Sequence, residues 1–252
     1  MSDKVMIVTG GSRGIGAATA ILGAKAGYAV VVNYASNLEA ADKVVAAIEA
    51  AGGTAVVVRG DVGVEADIVA IFEAADRLGT LTALVNNAGV VDAAQPLAEM
   101  SAARIERMMR INVTGSLLCA REAVRRMATS RGGKGGGIVN VSSVAAKLGG
   151  PGQYLDYAAS KGAIDTFTVG LAKEVIDEGI MVGAVRPGII DTDIHASGGQ
   201  PNRVAELGPG LPMRRAGTAE EVARAIMWLL SGEASYSTGA IIDVSGARSI
   251  LP

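Results

Sequence analysis

Short β-branched runs alternate with alanine-rich stretches along most of the chain. Residues 5–9, 29–33, 54–59, 83–86, 138–141, 181–185 and 240–243 read as seven strands, each too short for a helix and rich in Val and Ile. Between them, helical patterns cover residues 14–26, 38–51, 65–78, 102–127, 154–177 and 219–230. Asp61 or Gly63 is placed to cap the third helix and Thr218 the last, while the long stretch after Ser101 can be two helices separated near residues 112–115. Regular alternation of strands and helices predicts an α/β fold, a doubly wound parallel sheet of seven strands with helices on both faces.

Right-handed crossovers in such a sheet gather ligands at the carboxyl ends of the strands, beside the point where strand order reverses. Segments can therefore be sorted by the edge they occupy. Residues 131–137 are glycine-rich with Lys134 in the middle, but they enter a strand from its amino end, and Gly135 stands where a phosphate loop needs Ser or Thr. A surface connection is the reading. Residues 188–217, with Pro201, Pro209 and Pro212, form the longest non-periodic stretch and leave the sixth strand on the ligand side, which suggests a substrate lid.

Composition narrows the function classes. With 252 residues, 50% of them apolar, the chain suffices for one domain spanning residues 1–252. A net charge of -2 supplies no basic field, so nucleic acid and anionic membranes are not expected partners. Apolar runs such as residues 225–230 fall far short of the roughly 18 residues that span a bilayer. Ser2, Asp3 and Lys4 lead straight into the first strand without the longer apolar segment of a secretory signal, so a soluble, cytoplasmic protein is expected. Cys119 is the only cysteine, which leaves no internal disulfide or thiolate metal cluster and suggests a small apolar residue packed in a helix.

Two constellations carry chemistry. After the first strand, Thr9-Gly10-Gly11-Ser12-Arg13-Gly14-Ile15-Gly16 opens a helix, where glycines let backbone N–H groups approach a pyrophosphate at the positive helix end. Later, Tyr157 and Lys161 stand four residues apart near a helix start and so share one face, and Ser143 follows the fifth strand at the same sheet edge. A tyrosine acting as a base near pH 7 needs its pKa lowered by roughly three units, worth about 4 kcal/mol. A neighbouring ammonium favours the phenolate.

The glycine spacing, T-G-x-x-x-G-x-G rather than G-x-G-x-x-G, resembles the cofactor loop of the short-chain dehydrogenase/reductase family, a Rossmann-type fold. Further elements match in the family's order from Val5 to Gly246. Asp61-Val62 stands where the family has an adenine-contacting acid, and Asn86-Asn87-Ala88-Gly89 matches its N-N-A-G element. Asn112 matches the helix asparagine that positions a proton-relay water. Pro187-Gly188, with Ile190 and Thr192, is similar to the element that holds the nicotinamide carboxamide. The resemblance implies a nicotinamide dinucleotide at Gly10, Ser12, Arg13, Gly14, Ile15 and Gly16, and catalysis by Tyr157, Ser143, Lys161 and Asn112 without a metal. Lys161 would also hold the nicotinamide ribose.

The dinucleotide is chosen about 20 residues beyond the glycines. The chain reads Asn33-Tyr34-Ala35-Ser36-Asn37 there, with no acid until Glu39, so a 2′-phosphate meets no repulsion. Arg13 could grip that phosphate and Asn33 and Ser36 could add hydrogen bonds, which favours NADP(H), with NAD(H) as the alternative. Ser142 competes with Ser143 for the serine role, although adjacent residues along a strand point to different sides. Tyr154 has Ala158 where a lysine is needed and suits the substrate pocket instead. His195, the only histidine, lies in the lid segment as a solvated residue or a substrate contact.

These readings converge on an NADP(H)-dependent oxidoreductase acting on a small-molecule carbonyl or secondary alcohol, most similar to the 3-oxoacyl-carrier-protein reductase and sugar dehydrogenase branch. A carrier-protein partner needs a basic docking face; residues 173–178 carry three acids and one base, and Arg121, Arg125, Arg126 and Arg131 lie elsewhere, so that role is not the preferred one. The resemblance further implies a homotetramer, with a dimer as alternative. Rival readings are a noncatalytic nucleotide-binding sensor or scaffold, and an isomerase or epimerase.

Overall fold

The computed structural model describes residues 3–249, apart from the side chain of His195. Strands β1 (Lys4–Val8), β2 (Ala29–Tyr34), β3 (Thr54–Arg59), β4 (Thr80–Asn86), β5 (Gly136–Val141), β6 (Ile180–Pro187) and β7 (Ile241–Val244) form one sheet in the order β3-β2-β1-β4-β5-β6-β7. Every pairing is parallel. The chain starts in the middle, winds outward to β3, returns beside β1 as β4 and winds outward again. Strand order therefore reverses between β1 and β4, at the end of the glycine loop.

Both faces of the sheet are covered, which explains why the strands read as continuous apolar runs. Ile7, Val31, Leu84 and Ile138 face one way, onto α3 (Glu65–Leu78) and α5 (Ser116–Met127), against Ile68, Phe72, Cys119 and Met127. Met6, Val8, Val30, Val32 and Val139 face the other way, towards Ile48 and Ile226. That layer comprises α1 (Gly14–Lys25), α2 (Leu38–Ala50) and, nearer the C terminus, α10 (Ala219–Leu229). Burying each such side chain contributes about 1.5–3 kcal/mol.

Several expectations need correction. Strand β4 begins at Thr80: Thr80 and Leu81 pair with Lys4 and Val5, and a register shift between Val5 and Met6 passes over Thr82. Neither Asp61 nor Gly63 caps α3: the position before it is Val64, without a side-chain cap. Instead Asp61 Oδ1 accepts from Gly63 N–H at 2.8 Å, and Asp67 Oδ2 reaches back to Asp61 N–H at 2.8 Å. Thr218 does cap α10, in a reciprocal box with Glu221.

The long helical stretch becomes α4 (Ala102–Met109) and α5, joined without a break by a π-helical turn over Arg110–Gly115. A Cβ at Gly115 would lie 2.5 Å from Val62 O, so only glycine lets this turn sit against the loop after β3. Beyond β5 come the short α6 (Ala145–Leu148) and the long α7 (Leu155–Glu174). The segment at 188–217 is not wholly irregular, since α8 (Ile194–Ser197) and α9 (Arg203–Leu207) lie within it. The 131–137 segment feeds the amino end of β5, away from the ligand edge. Among the described residues, no helix is long and apolar enough to cross a membrane.

Candidate active site

A cleft of about 870 Å³ runs along the carboxyl edge of the sheet and is lined from Arg13 and Ser36 at one end to Arg203 and Arg248 at the other. Its floor is the glycine loop. Gly10 and Gly14 have φ of 60° and 53°, values that L side chains rarely adopt. Gly16 lies beneath the loop rather than in the cleft, where a Cβ would stand 2.4 Å from Gly10 O and 2.5 Å from Asn87 Nδ2. Across the mouth, a Cβ on Gly14 would come within 3.1 Å of Thr192 Cγ2, so the segment after β6 closes directly on the loop. Ser12, Ile15, Val62, Ala88, Pro187, Gly188 and Ile190 complete the predicted lining.

Four asparagines lace this edge together. Asn87 Nδ2 donates to Thr9 O at 2.9 Å and Gly10 O at 3.0 Å, tying β4 to the glycine loop. Asn33, buried at 2% exposure, accepts from Gly10 N–H at 3.1 Å and donates to Gly60 O at 3.0 Å. Its amide is committed to the frame, which corrects the expectation that it hydrogen-bonds a 2′-phosphate. Asn86 Nδ2 donates to Ser116 O and to Asn140 Oδ1, both at 3.0 Å, and Asn140 Nδ2 continues to Thr168 Oγ1 at 2.9 Å. Thus α7 is fastened to the sheet by side chains.

At that helix, Tyr157 is half-buried and Lys161 buried, with the Lys161 ammonium 5.6 Å from the centre of the Tyr157 ring. Lys161 Nζ donates to Val141 O at 2.7 Å, at the end of β5. Ser143 Oγ accepts from Ala145 N–H at 3.1 Å, and its hydroxyl lies near enough to the Tyr157 phenol to lower that group's pKa. Ser142 is 2% exposed and donates to Lys161 O at 3.2 Å, so its hydroxyl turns into the protein. Of the two serines, Ser143 is the partly exposed one. Tyr154 lines the cleft, as its lack of a lysine partner implied.

The electrostatics run opposite to the simplest expectation. Burial pushes the Tyr157 phenol above its ordinary 10.0, and the nearby Ser143 hydroxyl only partly offsets it. Burial likewise lowers Lys161 from 10.5 to about 8, with Asp165 opposing. In the free protein the phenol is thus held protonated. Asn112 ties several elements together. Its Nδ2 donates to Val90 O at 3.0 Å and Ser160 Oγ at 3.1 Å, and its Oδ1 accepts from Val90 N–H at 2.8 Å. Being fully buried and outside the cleft lining, its side chain holds the loop after β4 against α7.

At the far end of the nucleotide half, Arg13 is exposed and makes no ion pair among the described residues. Glu39, the first acid beyond β2, is turned to Lys43 at 2.7 Å. Asp61 lines the cleft, with one oxygen on Gly63 N–H and the other 3.7 Å from Arg110.

A family model described as enoyl-(acyl carrier protein) reductase matches residues 10–247. The chain belongs to the short-chain dehydrogenase/reductase family. It is 56% identical to an uncharacterized oxidoreductase, YgfF, of Escherichia coli (strain K12), over 97% of this chain and 99% of that one. It is 38% identical to glucose 1-dehydrogenase 2 of Bacillus subtilis (strain 168), over 100% of this chain and 97% of that one. A solved double mutant of a Serratia marcescens short-chain dehydrogenase/reductase superposes with a TM-score of 0.89 at 32% identity, covering 99% of each chain.

As a short-chain dehydrogenase/reductase the protein is an oxidoreductase of a family that uses nicotinamide dinucleotides on small molecules. The cleft fits that cofactor: Gly10 and Gly14 take positive φ in a loop that lines it and opens a helix, where backbone N–H groups can meet a pyrophosphate. Among the residues of this short-chain dehydrogenase/reductase's cleft that sequence reasoning did not single out are Gln153, Arg203 and Arg248. Position within the lid segment was the available signal for Arg203. Nothing in the sequence pairs it with Arg248, 45 positions on.

Proposed function

We propose that the protein is an NADP(H)-dependent oxidoreductase that interconverts a carbonyl and a secondary alcohol, with Tyr157 as general acid/base. The observation that carries this reading is the Ser143, Tyr157 and Lys161 cluster at the carboxyl edge of β5, in one cleft with the glycine loop. When bound, the nicotinamide supplies or accepts the hydride. In reduction Tyr157 gives its proton to the developing alkoxide, a role that its raised pKa suits at neutral pH. Ser143 donates to the same oxygen, an interaction that strengthens as charge builds. Lys161 holds positive charge beside the phenol and favours the phenolate left behind. Asn112 acts by positioning the loop that backs Lys161, since a Cβ on Gly89 would touch both side chains, at 3.3 Å and 3.5 Å.

The 2′-phosphate preference rests on the free guanidinium of Arg13, the exposed Ser36, and the diversion of Glu39 to Lys43. The segment 188–217 closes the substrate side through Ile194, Arg203 and Leu207. We read the assembly as a homotetramer, in keeping with apolar Leu117 on α5, Val169 on α7 and Trp228 on α10 being exposed. A carrier-protein substrate is disfavoured, because Arg121, Arg125 and Arg126 are all paired with Glu65, Glu122 or Asp76.

The test follows NADPH and NADH absorbance with a panel of ketones, sugars and acyl thioesters, in wild type and Tyr157→Phe. Turnover by wild type with a loss of at least about a hundredfold in the variant is expected; equal turnover by both would remove Tyr157 from the chemistry. Arg13→Ala should weaken NADPH far more than NADH, and equal weakening would reverse the cofactor preference.

A further inference from the structure

The substrate half of the cleft carries more cationic charge than the proposed chemistry uses. Arg203, on α9, and Arg248, just beyond β7, both line it, after the strands farthest from the Arg13 end. Arg203 lies 5.4 Å over the Tyr154 ring and donates to Gln153 Oε1 at 3.4 Å and to Gln200 Oε1. No carboxylate among the described residues pairs with Arg203 or Arg248. The acids in the cleft lining are Asp61, at the β3 end, and Asp193, which is exposed on the lid segment.

Arg248 is held in place by a built support. Ser249 is fully buried, donates to Asp243 Oδ2 at 2.8 Å and shares a 2.9 Å hydrogen bond with Ser245. Arg248 N–H closes back on Ser245 O at 3.2 Å, and Ala247 before it takes a φ of 68°, strained for a residue with a Cβ. Strain maintained by surrounding hydrogen bonds is a mark of functional placement. The two arginines also feel each other, since burial and the Arg203 charge both lower the pKa of Arg248. Two like charges without an acid between them are stabilised by an anion that bridges them.

We infer that this half of the cleft takes a carbonyl or secondary-alcohol substrate bearing a carboxylate or phosphate, which Arg203 and Arg248 hold together. The inference rests on the proposed oxidoreductase reading and adds the substrate class to it. The anion fixes one end of the substrate while its carbonyl lies at Tyr157 and Ser143, and Tyr154, beneath Arg203, packs along the carbon chain between them.

The experiment compares matched pairs: oxo acids with their methyl esters, and sugar phosphates with their parent sugars, each assayed by NADPH consumption. Wild type should favour the anionic member by at least about tenfold in kcat/KM, the value of one hydrogen bond to a charged group. Arg203→Gln and Arg248→Gln should collapse that ratio, while Arg248→Lys recovers part of it. The two arms separate a carboxylate from a phosphate. Wild type that turns over neutral partners equally well overturns the inference and leaves the oxidoreductase reading intact. Should no compound turn over, that reading fails, and calorimetric binding of an oxo acid against its amide to NADPH-loaded protein decides the inference. Tighter binding of the acid, lost in Arg248→Gln, sustains it; equal or absent binding refutes it. If the arginine variants do not fold, the wild-type preference alone decides.

Discussion

Replacing Lys161 with methionine should make the free protein more stable at neutral pH, although it removes the ammonium from the site. Lys161 is 5% exposed and burial takes its pKa from 10.5 down to about 8. At about 1.4 kcal/mol per pKa unit, holding this side chain charged in the native state costs about 3 kcal/mol below pH 8. The sign follows from proton counts. Below pH 8 both native and unfolded chains carry the proton and the full cost is present. Between pH 8 and 10.5 the unfolded chain holds more protons than the native one, so wild-type stability rises with pH and the cost disappears.

Methionine leaves Val141 O without its 2.7 Å donor, which returns about 1 kcal/mol or somewhat more of the gain. A net stabilisation of about 1–2 kcal/mol is therefore expected at pH 7 and none at pH 10.5. Urea denaturation of both cofactor-free proteins at pH 7, 9 and 10.5 measures it. A variant less stable than wild type at pH 7, or a gap that fails to narrow as pH rises, would refute the argument that burial dominates at Lys161.

Other perturbations probe the frame. Gly16→Ala puts a methyl 2.4 Å from Gly10 O, so the glycine loop must shift and NADPH affinity should fall at least about tenfold by fluorescence titration. Unchanged affinity would mean that the loop has slack. Arg104→Met strips Asp156, whose side chain is 1% exposed, of a partner at 2.8 Å and should destabilise by on the order of 3 kcal/mol. A urea midpoint within error of wild type would contradict that. Thr218→Ala removes the capping box of α10 and should cost about 1 kcal/mol, again read from the urea midpoint.

The sheet and the Tyr157, Lys161 and Ser143 cluster were legible in the sequence because they are local patterns. Short β-branched runs mark strands, and the spacing of Tyr157 and Lys161 is one helical turn. What was not legible depends on where a polar group finds its partner. Asn33 reads equally as a ligand for phosphate and as a tie between backbones, and only the approach of Gly10 and Gly60 decides for the second. Asp61 resembles a helix cap, yet it closes its own turn onto Gly63. That Arg203 and Arg248 share one cleft follows from the sheet bringing the segments after β6 and β7 side by side.

The π-helical turn at Arg110–Gly115 sets a phase. A π turn accommodates one more residue than the α-helical turn it replaces, and each residue advances an α-helix by about 100°. Deleting one residue there would restore regular α geometry and swing α4 about that far around its axis relative to α5. Arg104 would leave Asp156, and Tyr157, whose N–H is held by Asp156 Oδ1 at 2.9 Å, would lose its anchor. The orientation of the tyrosine is thus encoded, at a distance, by the length of a different helix.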